Sequence, residues 1–267
     1  MMFSADKFLP TCLGLPQEME KVMLAKMVKF LCRGHKTSRS AVKSSIITCN
    51  SYVELLKLWH WEKQPDLDYL PKGNYKYPED INGREEKDAE TLMTLCRNFV
   101  TTAALEIGTS TGLTTLGMAR NAPQATIYSV DIPQEEALSG KGGRLITHVL
   151  NPEAVGYHYK LAGVSNVKQI FANTATWKPD IPPLDLAFID GCHDRKFVFN
   201  DTLKILPFIK PGGFIVWHDA NPTLSSIFPW IGEVCDGIGD LIVRKHISPF
   251  LFHVRDSWMV VWRKPLN

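Results

Sequence analysis

The chain of 267 residues is 45% apolar and 22% charged, which is the composition of an ordinary globular protein and excludes a disordered or fibrous one. A net charge of +2 provides no general field for nucleic acid or for a membrane surface, and no apolar run approaches the roughly 18 residues of a bilayer span. The six cysteines show neither C-x-x-C nor zinc spacing, so we expect buried thiols and a cytoplasmic protein.

The first 84 residues are predicted to form a helical extension, or lid, on the domain that follows over residues 85–267. Apolar residues recur at helical spacing over 17–32, and a second helix is predicted over 51–61. Residues 64–84 are rich in Pro, Gly, Asp and Tyr, which is typical of a long loop. A clean helical face over 85–100 then leads into the first core strand.

From residue 103 onward, strand and helix patterns alternate, which predicts an α/β fold with a doubly wound, mainly parallel sheet. Strands are predicted over 103–107, 125–130, 167–171, 184–189, 213–218, 241–244 and 258–262, with helices over 113–120, 194–209 and 225–235. Segment 132–166 is longer than a simple crossover needs. Its flexible stretch Ser139–Arg144 is interpreted either as a mobile cover over a site or as a surface insertion without a role.

The strongest motif is the glycine turn after the first strand, Gly108–Gly112, together with Asp131 at the end of the second. Glycines let the backbone approach a ligand, a helix N-terminus points N–H groups at it, and a strand-end acid binds ribose hydroxyls. The spacing is not the G-x-G-x-x-G of a dinucleotide site. The alternative is a plain strand–turn–helix without a ligand. The candidate ligand-binding residues are Glu106, Gly108, Thr109, Ser110, Gly112, Thr114, Asp131, Asn173, Thr174 and Asp190.

Two neighbouring strands each deliver a carboxylate to the same sheet edge, Asp190 and Asp219. Paired oxygen ligands suit Mg²⁺, although turn or helix capping is the alternative role for both. His193 lies three residues past Asp190 and is the candidate catalytic base, with an oriented structural histidine as the alternative. His218 is predicted to be structural, because strand alternation turns its side chain away from that of Asp219.

These motifs resemble a known family. Segment 106–112, followed by Thr114, resembles motif I of class I S-adenosylmethionine (SAM) methyltransferases, in the form of the catechol and caffeoyl-CoA O-methyltransferase branch. Segments 188–193, 211–213 and 218–219 are similar to the methyltransferase-24 family of bacterial O-methyltransferases, several of which act on sugars and phenols of natural products. The resemblance covers about residues 85–264 and implies a Rossmann-like sheet of seven strands whose last strand is antiparallel. Cys192 and Ala220 depart from the family pattern.

The resemblance implies a SAM-dependent O-methyltransferase that acts on a hydroxyl group of a small molecule. SAM is the expected cofactor, and Mg²⁺ is the expected metal, held by Asp190 and Asp219. The alternatives are a metal-independent small-molecule N-methyltransferase and a SAM-fold binding protein without turnover. The expected partner is a small-molecule acceptor, with no nucleic acid and no membrane. A homodimer or higher oligomer would form through the N-terminal helices.

Overall fold

The computed structural model describes residues 37–71, 83–139, 147 and 149–266. The helix predicted over 17–32 and most of the stretch Ser139–Arg144 lie outside the described residues. The helices are α1 (Ser38–Ser45), α2 (Tyr52–Leu58), α3 (Arg84–Phe99), α4 (Leu113–Asn121), α5 (Gln134–Leu138), α6 (Tyr157–Leu161), α7 (Arg195–Ile205) and α8 (Pro229–Val243). The strands are β1 (Ile46–Cys49), β2 (Ala103–Ile107), β3 (Thr126–Asp131), β4 (Val167–Phe171), β5 (Leu184–Ile189), β6 (Ile209–Trp217), β7 (Leu251–Val254) and β8 (Val260–Arg263).

The strands form one mixed sheet in the order β1-β7-β8-β6-β5-β2-β3-β4. Only β8 is antiparallel to its neighbours, β6 and β7, and the other pairs are parallel. Helices cover both faces, and each face buries its own apolar cluster. The predicted α/β class, the doubly wound parallel sheet and the antiparallel last strand are confirmed.

The sheet has eight strands in the described part of the chain, not seven. The strand predicted over 241–244 is wrong, because those residues form the end of α8 and the residue after it. The helix predicted over 225–235 begins later, at Pro229, and continues to Val243. The penultimate strand is instead β7, and β1 was not predicted. Four-residue apolar runs such as β1 and β7 are too short for periodicity to separate strand from helix.

Residues 38–49 of the N-terminal extension extend this same sheet. Strand β1 pairs in parallel with β7 over its whole length, from Ile46 opposite Leu251 to Cys49 opposite Val254. Helix α1 packs on α8, where Arg39 forms an ion pair with Asp236 at 2.6 Å. The domain boundary at residue 84 stays a prediction.

The central strands determine where polar side chains gather. All residues of β2 and β5 are buried, as expected of parallel strands that are covered on both faces. The carboxyl ends of β2, β3, β5 and β6 meet at one edge of the sheet, which is where ligands bind in open α/β folds. None of the helices in the described ranges has the length and hydropathy needed to cross a bilayer.

Candidate active site

The glycine turn after β2 passes directly over the end of β5. Gly108 has a φ of +102°, and a Cβ there would lie 2.1 Å from the backbone oxygen of Asp190. Gly112 has a φ of +76°, and a Cβ would lie 2.7 Å from the Cα of Gly156. Both positions therefore require glycine, for the conformation and for the close approach. The turn is tight enough to expose backbone N–H groups at the start of α4.

Asp131 fixes this turn from the neighbouring strand. Its Oδ2 accepts a hydrogen bond of 2.8 Å from the backbone N–H of Ser110, which has a φ of +48°. Its Oδ1 accepts one of 2.8 Å from the N–H of Ile132. Burial raises the pKa of Asp131. The carboxylate thus stands at the strand end where the sequence predicted a ribose ligand.

A cleft opens beside Asp131 and is called here the first cleft. Its volume is about 200 Å³. The first cleft is lined by Ile107, Gly108, Ser110, Val130, Asp131, Ile132, Thr147, Ala172, Thr174, Asp190, Gly191, Cys192, His193 and Phe197. The structure therefore brings five predicted ligand-binding residues and the predicted base to one cleft.

Glu106 lies beneath the turn rather than in the first cleft. Its side chain is buried, and its Oε2 accepts hydrogen bonds from Ser129 Oγ at 2.6 Å and from Thr115 Oγ1. Burial raises the pKa of Glu106 to about 8. Its Oε1 is buried without a hydrogen-bond partner. Glu106 supports the turn from below, and direct ligand contact by it stays a prediction.

The remaining predicted ligand residues divide between two sides of the turn. Thr109 and Thr114 line a second cleft on the far side, described below. Thr174 lines the first cleft, as expected for an adenine contact. Its neighbour Asn173 is buried, and its Oδ1 accepts a hydrogen bond of 3.0 Å from the backbone N–H of Ala175. This oxygen therefore stabilises the local turn after β4. The roles of these four residues stay predictions.

Five ionisable side chains form a carboxylate–imidazole cluster at the ends of β5 and β6: Asp88, Asp190, His193, His218 and Asp219. His193 Nε2 lies 2.8 Å from Asp219 Oδ2 and 3.8 Å from Asp190 Oδ1. His218 Nδ1 lies 3.3 Å from Asp190 Oδ1 and 3.2 Å from Asp219 Oδ2. On the other side of its ring, Nε2 lies 3.1 Å from Asp88 Oδ2.

The prediction that His218 points away from Asp219 is wrong. Strand β6 ends at Trp217, so strand alternation does not extend to the two residues that follow. Asp219 has a left-handed φ of +52°, which returns its side chain to the side of His218. Both residues therefore face Asp190. An aspartate in this conformation is uncommon, and such positions concentrate at functional sites.

The charges in the cluster stabilise one another. Although burial lowers it, Asp190 and Asp219 raise the pKa of His193 to about 10. The same carboxylates hold the pKa of His218 well above its usual value despite burial. Against the opposing effect of burial, the imidazoles lower the pKa of Asp190 and Asp219. The carboxylates therefore favour the protonated form of both rings.

The cluster also contains side-chain atoms that could bind a metal cation. Asp190, His193 and Asp219 each offer one ligand atom, and these atoms lie within 4.8 Å of one another. Carboxylate oxygens are ligands that suit Mg²⁺, whereas an imidazole nitrogen is a donor preferred by Mn²⁺, Fe²⁺ or Zn²⁺, so the Mg²⁺ site stays a prediction. His193 would need to lose its proton to become a ligand. The sequence did not predict His193 as a ligand, although its position three residues past Asp190 allowed it.

Several residues at the site were not predicted from the sequence. Asp88 and Arg84 come from α3, and Thr115 and Ser129 hold Glu106. Asp88 is one of several acidic residues on α3. His218 lies 130 residues further along the chain, and no sequence motif connects the two residues. Only the packing of α3 against the ends of β5 and β6 brings the two side chains together.

Comparison with known families identifies the central part of the chain. Residues 105–220 match the family model described as a methyltransferase domain. This segment is therefore similar to that family. The match includes the glycine turn, Asp131, Asp190 and Asp219. The match confirms the resemblance to a methyltransferase family. No curated protein matches the chain in sequence.

Solved structures are similar to the chain at low identity and at TM-scores below 0.5. The cofactor-bound protein Rv0187 from MTB has a TM-score of 0.48 and 15% identity over 91% of this chain and 96% of its own. A provisionally assigned O-methyltransferase from Klebsiella pneumoniae has a TM-score of 0.47 and 16% identity over the same shares, 91% and 96%. TrmN from Thermus thermophilus has a TM-score of 0.37 and 16% identity over 48% of this chain, which spans 36% of TrmN.

Proposed function

We propose that the protein is a SAM-dependent O-methyltransferase that methylates a hydroxyl group of a small molecule, a sugar or a phenol of the natural-product type. The observation that carries the proposal is the position of Asp190. This residue lines both the first cleft and the cleft on the far side of the glycine turn, and it belongs to the carboxylate–imidazole cluster. An acceptor hydroxyl at Asp190 would lie beside a donor held by Asp131.

Methyl transfer requires alignment and loss of one proton. The acceptor oxygen forms a bond to the methyl carbon as the carbon–sulfur bond breaks, S-adenosylhomocysteine (SAH) leaves, and the hydroxyl proton passes to a base. His193 is the proposed proton acceptor, because it lines the first cleft beside Asp190. It must first release the proton that Asp190 and Asp219 stabilise, since its pKa is raised to about 10.

A divalent cation is the second part of the proposal. Asp190 and Asp219 would hold Mg²⁺ through their carboxylate oxygens, and His193 would keep its role as the proton acceptor. Such an ion would lower the pKa of an acceptor hydroxyl bound to it. Metal-independent transfer is the second candidate, favoured by one observation. His193 lies 2.8 Å from Asp219, and His218 lies 3.2–3.3 Å from both carboxylates, where protonated rings would offset the negative charge.

Transfer of a labelled methyl group from SAM to a panel of sugars and phenols tests the proposal. We expect label in at least one hydroxyl, loss of activity in EDTA, and recovery with Mg²⁺ or Mn²⁺. Asp190→Asn should remove activity, whereas Asp180→Asn, at an exposed position, should not. Full activity in EDTA would establish the metal-independent candidate. SAH binding without methylation of any hydroxyl would contradict O-methylation.

The cellular setting completes the proposal. We place the reaction in the cytoplasm, which is supported by the free, buried thiols of Cys49, Cys96 and Cys235. The acceptor is a small molecule rather than a nucleic acid or a membrane lipid, because the site is a cleft. Of the N-terminal helices through which an oligomeric contact is proposed, the one over 17–32 lies outside the described residues, whereas α2 lies within them.

A further inference from the structure

A second cleft lies on the far side of the glycine turn and has a volume of about 400 Å³. It shares Gly108, Ser110 and Asp190 with the first cleft, so the two form one trough that crosses the turn. Its outer wall is the first turns of α3, including Arg84 and Asp88. A ligand that begins beside Asp131 can therefore continue across the turn towards α3.

Arg84 is a largely buried cation in the wall of the second cleft. Its side chain is 13% exposed, and its guanidinium carbon lies 4.5 Å above the centre of the Trp258 ring. Its Nη1 lies 3.5 Å from Asp88 Oδ2, a distance too long for a good hydrogen bond. Its Nε is buried without a hydrogen-bond partner.

Asp88 is not a dedicated partner for Arg84. Asp88 Oδ1 accepts a hydrogen bond of 2.7 Å from the backbone N–H of Trp258. Asp88 Oδ2 lies 3.1 Å from Nε2 of His218, closer than it lies to Arg84. The acid is thus shared between two cations. Buried donors in proteins are nearly always paired, so Arg84 is ready to receive an acceptor from a ligand.

We propose that Arg84 binds the carboxylate of the amino-acid end of the methyl donor. The inference rests on the proposed function, in which Asp131 holds the ribose of SAM in the first cleft. The amino-acid end must then leave the first cleft, and the shared trough over Gly108 and Ser110 leads to the second. A guanidinium binds a carboxylate through two parallel hydrogen bonds, and stacking on Trp258 fixes its plane.

The test compares two ligands that differ in this end alone. SAH has the nucleoside, the sulfur and the amino-acid group, whereas 5′-methylthioadenosine has the nucleoside and the sulfur only. Isothermal titration of Arg84→Gln should show SAH affinity about 10-fold or more below that of the wild type, because a hydrogen-bonded charge pair is lost. Affinity for 5′-methylthioadenosine should stay within about twofold of wild type, which also shows that the variant is folded.

Two further variants sharpen the comparison. Arg84→Lys keeps the positive charge but lacks the planar guanidinium group. Its SAH affinity should therefore lie between those of the wild type and Arg84→Gln. Arg120→Gln removes an exposed arginine on α4 and should leave both affinities unchanged.

Each contrary result has a distinct meaning. Unchanged SAH affinity in Arg84→Gln would overturn the inference and leave the proposed function intact. An equal loss for both ligands would also overturn it, because Arg84 would then support the cleft and not the carboxylate. A wild-type protein that binds neither ligand would overturn the proposed function itself. Unchanged SAH affinity with weaker binding of an anionic acceptor would assign Arg84 to the acceptor and overturn the inference.

Discussion

Asp131 holds the glycine turn closed through both of its carboxylate oxygens. The N–H groups of Ser110 and Ile132 each donate 2.8 Å hydrogen bonds to it. A ribose that binds there must share these oxygens, which have further lone pairs to accept from hydroxyl groups. One side chain therefore serves the shape of the turn and the affinity for the donor together.

The first prediction separates these two roles. Asp131→Ala should lower SAH affinity about 10-fold or more, since a hydrogen bond to a charged group contributes roughly 1.5–3 kcal/mol. Asp131→Asn should retain part of the affinity, because its amide oxygen still accepts from Ser110. Asp180→Ala is the control for removal of an exposed acid, and titration calorimetry is the measurement. SAH affinity equal to wild type in Asp131→Ala would remove Asp131 from the donor site.

The second prediction concerns His193. His193→Ala should lower kcat by roughly 10²–10⁴ and leave SAH affinity near wild type, because general-base assistance contributes about that factor. Since the pKa of His193 is raised to about 10, wild-type kcat should increase as pH rises towards that value. Higher pH should also restore part of the activity of the variant, as more of the acceptor ionises unaided.

The exposed His246 provides the control for His193. His246→Ala should leave kcat and its pH dependence unchanged. A His193→Ala variant whose kcat stays within about threefold of wild type would exclude His193 as the base. The acceptor hydroxyl would then lose its proton without the help of His193.

Helix α8 packs closely against two other helices, α1 and α7. A Cβ at Gly239 would lie 2.0 Å from the backbone oxygen of Ser38 in α1, and one at Gly237 would lie 2.9 Å from that of Arg195 in α7. Asp240 connects the same three helices, since it accepts from Ser38 Oγ at 2.6 Å and pairs with Arg195 at 2.7 Å. The glycines allow α8 to lie against two helices at backbone contact.

The third prediction follows from this contact. In an isolated helix, Gly→Ala is stabilising by about 1 kcal/mol. Gly239→Ala should instead destabilise the protein by roughly 1–3 kcal/mol, because α1 must move away from the new methyl group. Glu233→Ala in the same helix is the control and should change stability by less than about 0.5 kcal/mol. Urea denaturation measures both, and an increase in stability for Gly239→Ala would contradict the packing described.

At the scale of the whole molecule, Asp185 connects the strands at the edge opposite the active site. Its Oδ2 accepts from the backbone N–H groups of Thr101 at 2.9 Å and Thr102 at 2.7 Å, just before β2. Its Oδ1 pairs with Lys210 of β6 at 2.6 Å. Although burial raises it, Lys210 and these N–H groups lower the pKa of Asp185 below its usual value.

The fourth prediction is a stability change with pH. Because the folded pKa of Asp185 is lowered, its contribution is present above the unfolded value of 3.8 and is lost as pH falls through the folded pKa. Asp185→Asn should therefore lower the free energy of unfolding by about 2 kcal/mol at pH 7, and by progressively less below pH 4. Asp180→Asn serves as the control. A loss that is equal at pH 7 and pH 3 would contradict the assignment of this pKa.

Local sequence patterns were sufficient for the central half of the fold. Strands β2, β4 and β5 begin and end where predicted, because buried parallel strands produce continuous apolar runs bounded by turn residues. The glycine turn and Asp131 were recognisable because their chemistry lies within consecutive residues. Asp190 was placed correctly, since it follows β5 directly and parallel strands end at a common edge.

The tertiary structure alone decided how the site is assembled. Arg84 and Asp88 reach it because α3 packs against the strand ends, a contact that no local pattern encodes. The left-handed turn at Asp219 places its side chain beside that of His218, contrary to the prediction, and the glycines of α8 lie against the backbone of two other helices. Turns and apolar periodicity depend on residues that are near one another in the sequence. Ion pairs and backbone contacts between elements depend on residues that only folding brings together.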